Sequence, residues 1–455
     1  MSVSRLLPAF IVIACSADPI PAGRYLITTG QENDTFTLSP APVAFESTKI
    51  DLNGTKTSIE TSDKPIDTID VGYTDTFFFQ LQGTDADGQR RVQAMSYYVS
   101  ATDLAGFDVK LFAGRTDTFC RPPENLTTAL GDHPPVGLFW GQILWVTGTS
   151  TNNKILGDGY NLFGWGHINQ PSFLGSSTCP QSPCEFKSIA NYGGQFALAI
   201  GADWAISIDV QSEAITTPAV PNDLGVWSNV SGGRTLNAPT GAAFIVGPTR
   251  TSAETNKVLQ LAIDGNPYTR LLSVPRQGAA AVYVKDHGLV VSGGDASGTA
   301  GNPGVEFMAE AGAEFTGVPY PADAVVGAAL VPEIADGTLV WRVGGKNADG
   351  TPAPTLVYDI KCTSDCVPAT KPDFDLDVMN AQGFKIGQTR IVAGETSDGT
   401  MVAWRLTDSG PVAIPLREPR KNASIYSLPN GFLALIGGTL LGDGTPAKSI
   451  ELVAY

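Results

Sequence analysis

Histidine, the side chain that most often serves as a general base or metal ligand, is scarce in this chain. The 455 residues contain three: His133, His167 and His287. None of them lies in an HExxH, HxH or similar spacing, and no GxSxG nucleophile elbow occurs. The histidines therefore predict neither a metal centre nor a hydrolytic triad.

Carboxylates form one close alternating group, with Asp373, Asp375 and Asp377 in the segment DFDLD. Alternation along a strand would place them on one face, where two carboxylates can act as acid and base. Solvated charge on an edge strand is the simpler interpretation. The segment DADG at 85–88 matches the start of a calcium loop but lacks the glutamate that completes an EF-hand, which favours a hairpin turn.

The cysteines fall into two close pairs and two single residues. Cys179 pairs in sequence with Cys184, and Cys362 with Cys366, which predicts two local disulfides in an oxidising compartment. Both pairs follow a predicted third strand, so both bridges are expected on the same face. A zinc site from the same four cysteines is the alternative, disfavoured because three repeats separate the pairs. Cys120 is left over.

The first residues resemble a bacterial lipoprotein signal. Arg5 precedes the apolar run LLPAFIVIA, and residues 12–15 read VIAC. This resemblance implies cleavage before Cys15, lipidation of that cysteine, and a short tether over 15–22 after a signal peptide over 1–14. Ser16 favours the outer membrane. An ordinary signal peptide, or a core role for Cys15, is the alternative.

The composition limits the class of partner. Lysine and arginine number only 29 and the formal net charge is −16, which argues against nucleic acid or anionic lipid headgroups as ligands. Charged residues make up 16% of the chain, and its 50 glycines and 32 prolines are typical of an exported β-rich protein. The acidity favours solubility over a cation-binding role.

A glycine recurs at the end of seven short apolar runs, and its spacing predicts the elements that must position any site. The steps between successive runs are 53, 46, 47, 51, 49 and 44 residues, a repeated supersecondary unit. A structural role is favoured for these glycines, because glycine tolerates tight turns and close packing and no helix follows to make a phosphate site. Four runs end in a single glycine, Gly148, Gly201, Gly247 or Gly394, and three end in a doublet, Gly293-Gly294, Gly344-Gly345 or Gly437-Gly438.

The clearest unit, 277–321, reads as the four strands GAAAVYV, GLVVSGG, GVEFMAE and AEFTGV, joined by turn-forming residues. Four antiparallel strands repeated radially describe a propeller blade. The prediction is an all-β chain whose residues 119–455 form a seven-bladed β-propeller. Its last unit is one strand short, so a strand near 121–130 is expected to close the ring and cover the edge.

Residues 23–118 do not follow this period and are predicted to form a separate β-sandwich domain. The predicted strands are RYLITT, DTFTLSP, STKIDLN, TKTSIET, DTIDVG, DTFFFQLQG, RRVQAMSYYVS and FDVKLFAG.

An apolar strand ending in Gly-Gly, a polar loop, and a strand such as GVEF, LVYD or SIEL resemble a kelch repeat. The doublets Gly293-Gly294, Gly344-Gly345 and Gly437-Gly438 carry the resemblance, whereas the family's regularly spaced tryptophan is missing. The segment before them resembles sandwich modules that precede kelch-like propellers in secreted proteins of myxobacteria and relatives. The copper site of the kelch-like oxidase branch, with two histidines and two tyrosines, is not assembled here. No partner follows from the resemblance.

These patterns predict a non-catalytic cell-envelope lipoprotein without a cofactor, which binds protein or carbohydrate through propeller loops. The long loops after the glycines begin at Thr149, Asp295, Lys346 and Thr439, and are small and polar. An exported hydrolase, lyase or oxidase with a central-channel site is the alternative, and a part in a multi-protein surface machine is a third. Blade packing is favoured over sugar stacking for Trp145, Trp165, Trp204, Trp227, Trp341 and Trp404.

Overall fold

A computed structural model describes residues 23–71, 76–97, 99–100, 106–127, 136–140, 142–150, 152–169, 172–250, 256–295 and 302–455. Antiparallel sheet dominates, as the sequence predicted. Helical structure in these ranges is short and includes the helix Ser172–Ser176 and single 3-10 turns at Trp227–Asn229, Gly247–Thr249 and Pro372–Phe374. No helix in the described residues is long and apolar enough to cross a membrane.

The N-terminal strands form two sheets around one core. One sheet has the order β4-β1-β8 and the other β3-β2-β5-β6-β9, with β7 beside β5. Tyr25, Phe79 and Leu111 are buried in the core that they share. The strands are β1 (Arg24–Thr28), β2 (Ala44–Ile50), β3 (Lys56–Ser62), β4 (Thr68–Asp70), β5 (Thr76–Thr84), β6 (Arg90–Met95), β7 (Val99–Ser100), β8 (Asp108–Phe112) and β9 (Gly114–Arg115).

Among the described residues, six four-stranded sheets and one three-stranded sheet follow in chain order, and we name them S1 to S7. In S1 to S6 four successive strands pair in sequence order. S1 has β10 (Val136–Trp140), β11 (Ile143–Gly148), β12 (Leu156–Asn161) and β13 (Gly166–Ile168); S2 has β14 (Ser188–Tyr192), β15 (Phe196–Ile200), β16 (Ala205–Asp209) and β17 (Ala214–Thr216); S3 has β18 (Arg234–Asn237), β19 (Ala243–Val246), β20 (Lys257–Leu261) and β21 (Pro267–Leu271).

The pattern continues to the end of the chain. S4 has β22 (Ala280–Val284), β23 (Gly288–Ser292), β24 (Val305–Ala309) and β25 (Thr316–Val318); S5 has β26 (Ala329–Pro332), β27 (Leu339–Val343), β28 (Leu356–Asp359) and β29 (Ala369–Thr370); S6 has β30 (Met379–Ile386), β31 (Thr389–Glu395), β32 (Met401–Thr407) and β33 (Gly410–Ala413). S7 has β35 (Ser424–Leu428), β36 (Phe432–Ile436) and β38 (Ile450–Ala454), flanked by the small pair β34 (Arg420–Lys421) and β37 (Thr439–Leu440).

Each neighbouring pair of these sheets shares a buried apolar cluster, because the side chains alternate between the two faces of every strand. In S5, for example, Leu330 packs towards S4 whereas Val331 packs towards S6. Clusters of this kind join S1 to S2 and each sheet to the next as far as S7. A further cluster joins S7 back to S1, with Phe432 and Leu144 among its members. The order of the cores is therefore cyclic.

The N-terminal segment completes S7 on its outer side. Cys120 forms a β-bridge to Leu452 of β38, and the Leu126 N–H donates to the Lys448 carbonyl at 2.8 Å. The strand expected near 121–130 is represented by these two contacts, and residues 128–130 lie outside the described ranges. Cys120 is a free, fully buried thiol, and burial raises its pKa to about 11. Cys120 therefore has a packing role in the hydrophobic core.

Two predicted strands are wrong. Residues 34–40 form turns instead, in which Thr37 and Leu38 N–H groups donate to the Asp34 carbonyl and the Leu38 carbonyl accepts from Arg115. DFDLD at 373–377 is a 3-10 turn followed by unpaired extended chain.

The other acidic segment, DADG, forms the hairpin turn between β5 and β6. The Asp85 carboxylate accepts the N–H groups of Asp87 and Gln89. It also pairs with Arg91 at 2.5 Å, so its oxygens are engaged within the turn.

Candidate functional site

The doublet glycines lie at the ends of the second strands of S4, S5 and S7. The structure explains why these positions are glycine. All six have φ between +69° and +91°, a region that side chains disfavour. A Cβ on Gly294 would lie 2.7 Å from the Arg276 backbone, and one on Gly438 would lie 2.2 Å from the Lys421 carbonyl oxygen. The second glycine also links sheets, since the N–H groups of Gly294 and Gly345 donate to Val325 and Val378 carbonyls at 2.7 Å.

The strand directions divide the loops of S1 to S7 between two faces. Loops after the second strands lie on the same side as the connections between sheets, and we call that side the glycine face. Loops after the first and third strands lie on the other side, the hairpin face. The described parts of the long polar loops that begin at Thr149, Lys346 and Thr439 therefore lie together on the glycine face, whereas residues 296–301 of the loop that begins at Asp295 lie outside the described residues.

The two predicted disulfides are present, but they lie on opposite faces. Cys362–Cys366 joins the third and fourth strands of S5, as expected. Cys179–Cys184 instead follows the fourth strand of S1, where the Cys184 N–H donates to the Ser150 carbonyl at 3.0 Å. The predicted common face is wrong, because the outer strand Gly166–Ile168 comes before the first pair.

Three successive sheets carry the same tripeptide, Asp-Gly-Thr, at the tip of the glycine-face loop. In each, the aspartate accepts the N–H of the threonine two residues later: Asp349 from Thr351 at 3.0 Å, Asp398 from Thr400 at 3.1 Å, and Asp443 from Thr445 at 2.9 Å. A backbone hydrogen bond of 2.9 Å closes each turn, to the carbonyls of Thr351, Thr400 and Thr445. We call these three turns the DGT tips.

The DGT tips are ionised and held in place. Hydrogen bonds from Thr396 and then Thr400 lower the pKa of Asp398 to about 2, so it stays charged at neutral pH. The pKa values of Asp349 and Asp443 are lowered by their threonine partners as well. All three aspartates are exposed. The tips thus present fixed polar groups to solvent.

Ion pairs and hydrogen bonds between neighbouring sheets also hold the loops of the glycine face in place. Lys346 pairs with Asp377 on the approach to S6, and the Lys421 ammonium of S7 donates to the Asp398 carbonyl at 2.5 Å. The spacing between tips is therefore fixed by the sheets and by direct contacts.

One arginine connects two sheets that are not neighbours in the cyclic order of S1 to S7. Arg234, in the first strand of S3, donates to the carbonyl of Ala381 in the first strand of S6 at 2.7 Å. Burial lowers its pKa to about 10. Arg234 was not among the predicted site residues, although an arginine is unusual in the first strand of these repeats. Arg234 therefore joins S3 directly to S6.

The described histidines lie apart. His287 Nε2 donates to the Asp336 carbonyl in a hairpin-face turn, at 2.9 Å. His167 contacts the Asp158 carboxylate and, at 3.1 Å, the Thr127 hydroxyl, and both contacts use Nε2. A hydroxyl–imidazole–carboxylate relay needs the two ring nitrogens in different roles, so this group differs from a catalytic triad. His133 lies outside the described residues.

The remaining candidates have packing roles. Trp145, Trp165, Trp204, Trp227 and Trp341 are buried and Trp404 is partly buried beside them, in agreement with blade packing. In the described part of the chain, no three His, Cys, Asp or Glu side chains could hold one metal ion.

Two buried Arg–Glu pairs repeat in the fold and were missed by sequence analysis. Arg276 pairs with Glu306 in S4 at 2.7 Å, and Arg420 with Glu451 in S7 at 2.5 Å. Each arginine also donates to the carbonyl of the first doublet glycine, Gly293 or Gly437. The separations of 30 and 31 residues were the available signal. The two pairs therefore hold the start of the glycine-face loop in S4 and in S7.

Comparison with known proteins gives distant structural likenesses and no sequence relative. No family model matches the chain, and no curated protein matches it. Among solved structures, a chain in a crystal structure of the mitotic checkpoint complex aligns with 11% identity and a TM-score of 0.44. The alignment covers 74% of this chain and 95% of that one.

Proposed function

We propose that S1 to S7 are the blades of a seven-bladed, kelch-like β-propeller and that residues 23–118 form a separate sandwich module. The cyclic order of the buried clusters supports the ring, because S7 packs against S1 as every other sheet packs against its neighbour. The repeated glycine doublets support the kelch likeness. Phe112 links the module to the ring through its contacts with Trp165 and Phe432.

We further propose that this propeller is a non-catalytic binding or scaffold module whose glycine face receives a protein or carbohydrate. The observation that carries the proposal is the set of DGT tips, three polar turns on one face that share the tripeptide Asp-Gly-Thr and its hydrogen bond from threonine N–H to aspartate. Preorganised loops lose little conformational entropy on binding, which favours recognition over a mobile surface. Small polar tips without aromatic anchors suit a polar partner surface.

The chain provides a matched test of the two faces. S5 carries the tetrapeptide Ala-Asp-Gly-Thr twice, at 348–351 on the glycine face and at 335–338 on the hairpin face, and both alanines are exposed. We expect a photo-crosslinking amino acid at Ala348 to give discrete adducts on intact cells, whereas the same group at Ala335 gives none. Adducts would be identified by mass spectrometry, with protease and periodate treatment to separate protein from carbohydrate. Adducts from Ala335 with none from Ala348 would overturn the assignment of the face.

We propose that the protein is anchored in the cell envelope, on the outer membrane, by lipid on Cys15. The support is the VIAC sequence after a short apolar run, and these residues lie outside the described ranges. Cys15→Ser is expected to abolish incorporation of labelled fatty acid and to release the protein from the membrane fraction. Retention of the variant on the membrane would contradict the anchor.

A further inference from the structure

A small polar cavity lies between S6 and S7 on the glycine face, and we call it the S6–S7 pocket. Its volume is about 40 Å³. Asn380, Gln382 and Glu395 line it with polar groups, and its wall also contains apolar residues such as Met401 and Ile425. Glu395 ends β31 and is followed directly by the loop that carries the DGT tip of S6. The pocket therefore lies beside a loop of the proposed binding surface.

The strand register turns two of the polar side chains towards S7. Residues directly opposite each other in an antiparallel pair point to the same face. Gln382 pairs with Ala393, and Glu395 pairs with Met401. Ala393 and Met401 belong to the apolar cluster between S6 and S7, so Gln382 and Glu395 lie on that face as well. The sheet thus places an amide and a carboxylate at the glycine-face edge of this cluster.

A β-bulge in β30 adds the third polar group. The register shifts between Met379 and Gln382, and Asn380 in the bulge has φ +50°. Asparagine tolerates this region better than most side chains. The Asn380 Nδ2 donates to the Glu395 carboxylate at 3.0 Å, which leaves the side-chain carbonyl oxygen of Asn380 as an acceptor. The bulge therefore brings a second amide beside the carboxylate.

The S6–S7 pocket carries a negative charge that no described cation balances. Glu395 is partly buried, and among the described residues its carboxylate has no ion pair. It is the one charged side chain in the described lining. Lys421 is bonded to the neighbouring loop, since its ammonium donates to the Asp398 carbonyl at 2.5 Å. The Gln382 amide makes no hydrogen bond within the described part of the chain. A carboxylate and two amide oxygens are therefore available as acceptors.

We propose that the S6–S7 pocket binds the ammonium group of a lysine side chain on a partner protein. This inference rests on the proposed function of the glycine face and selects protein as the class of partner. A lysine ammonium has three N–H donors and no acceptor, which matches three acceptor groups around one negative charge. The net charge of −16 also favours the approach of a cationic group.

The size of the pocket limits what can enter it. A volume of about 40 Å³ holds a group the size of a water molecule or an ammonium. Pockets that enclose a whole small ligand are roughly 300–1,000 Å³, so a sugar ring is not enclosed here. A broad, planar guanidinium fits less well than a compact ammonium. The occupant is therefore the end of a side chain, and the rest of the partner lies on the glycine face.

The test is a ligand-observed NMR titration of the intact protein with Nα-acetyl-lysine methylamide at low, constant ionic strength. We expect saturable binding of this probe and none of its Nε-acetylated form, which has lost the charge. Glu395→Gln is expected to weaken binding about tenfold or more, the effect of losing a charged hydrogen-bond partner. Glu46→Gln is the matched control and should bind as the native protein does, because it removes the same charge from an exposed position in β2.

Gln382→Leu keeps the inference testable if Glu395→Gln disturbs the bulge through Asn380. The Gln382 amide has no partner among the described residues that folding would miss, and its loss is expected to weaken binding several-fold. Absence of saturable binding, equal binding of the acetylated probe, or equal affinity in the native protein and both pocket variants would overturn the pocket.

A second arm separates this pocket from the proposed function. The crosslinking group at Ala348 is introduced into the Glu395→Gln protein, and we expect the yield of protein adducts on intact cells to fall about tenfold with the affinity. An unchanged yield together with binding of the probe would overturn the partner lysine in favour of a free amine. Absence of adducts in both proteins would overturn the proposed function and the protein partner with it, whereas the titration alone decides whether the pocket binds an ammonium.

Discussion

Arg420→Met is expected to destabilise the protein by about 3–5 kcal/mol, because it leaves a buried carboxylate without its cation. Both Arg420 and Glu451 are fully buried. Arg420 also donates to the carbonyls of Gly437 and Ser449, at 3.2 and 3.0 Å, which would lose their donor. The free energy of unfolding from urea titration, with the slope m compared between variants, measures the effect.

The equivalent pair in S4, Arg276 and Glu306, allows the cost of an unpaired buried charge to be measured separately from the cost of changed packing. Arg276→Val alone leaves Glu306 buried with only the Ser273 N–H as partner. The double variant Arg276→Val/Glu306→Leu removes both charges and copies S5, where Val325 and Leu356 are buried at the corresponding positions. We expect the double variant to be more stable than the single one, since a buried charge without its partner costs more than an apolar replacement of the pair. A single variant as stable as the double would contradict this account.

The glycine repeat could be predicted because the backbone itself requires it. A chain that turns at φ near +80° against a neighbouring backbone has room for no other residue, so the requirement appears in the sequence as Gly-Gly. The strands of 277–321 followed from the same spacing and are present as β22 to β25. The loops predicted after Gly345 and Gly438 are present for the same reason.

The contacts of the candidate sites could not be predicted, because they join distant parts of the chain. Arg417 pairs with Asp34 across 383 residues, and Arg405 reaches the Thr116 carbonyl across 289. Neither partner leaves a periodic or compositional trace. Residues 34–40 were assigned to a strand from their alternating pattern, whereas their carbonyls are held by Arg115, a tertiary contact that overrides local preference.

Gly438→Ala is expected to cost roughly 2–5 kcal/mol, the sum of two effects. The residue has φ +82°, where a side chain costs roughly 1–2 kcal/mol. The new Cβ would also lie 2.2 Å from the Lys421 carbonyl oxygen, so the start of S7 must move, and such overpacking costs about 1–3 kcal/mol.

Gly444→Ala in the same loop isolates the first effect. Gly444 has φ +71°, and a Cβ there would meet no atom within 4 Å. We therefore expect Gly444→Ala to lose only the strain of the backbone, roughly 1–2 kcal/mol, in the same urea titration. Because both glycines belong to one loop, equal losses in the two variants would show that close packing under the doublet contributes nothing. A larger loss for Gly438→Ala follows if the doublet is the point where the glycine-face loop packs on the chain that enters S7.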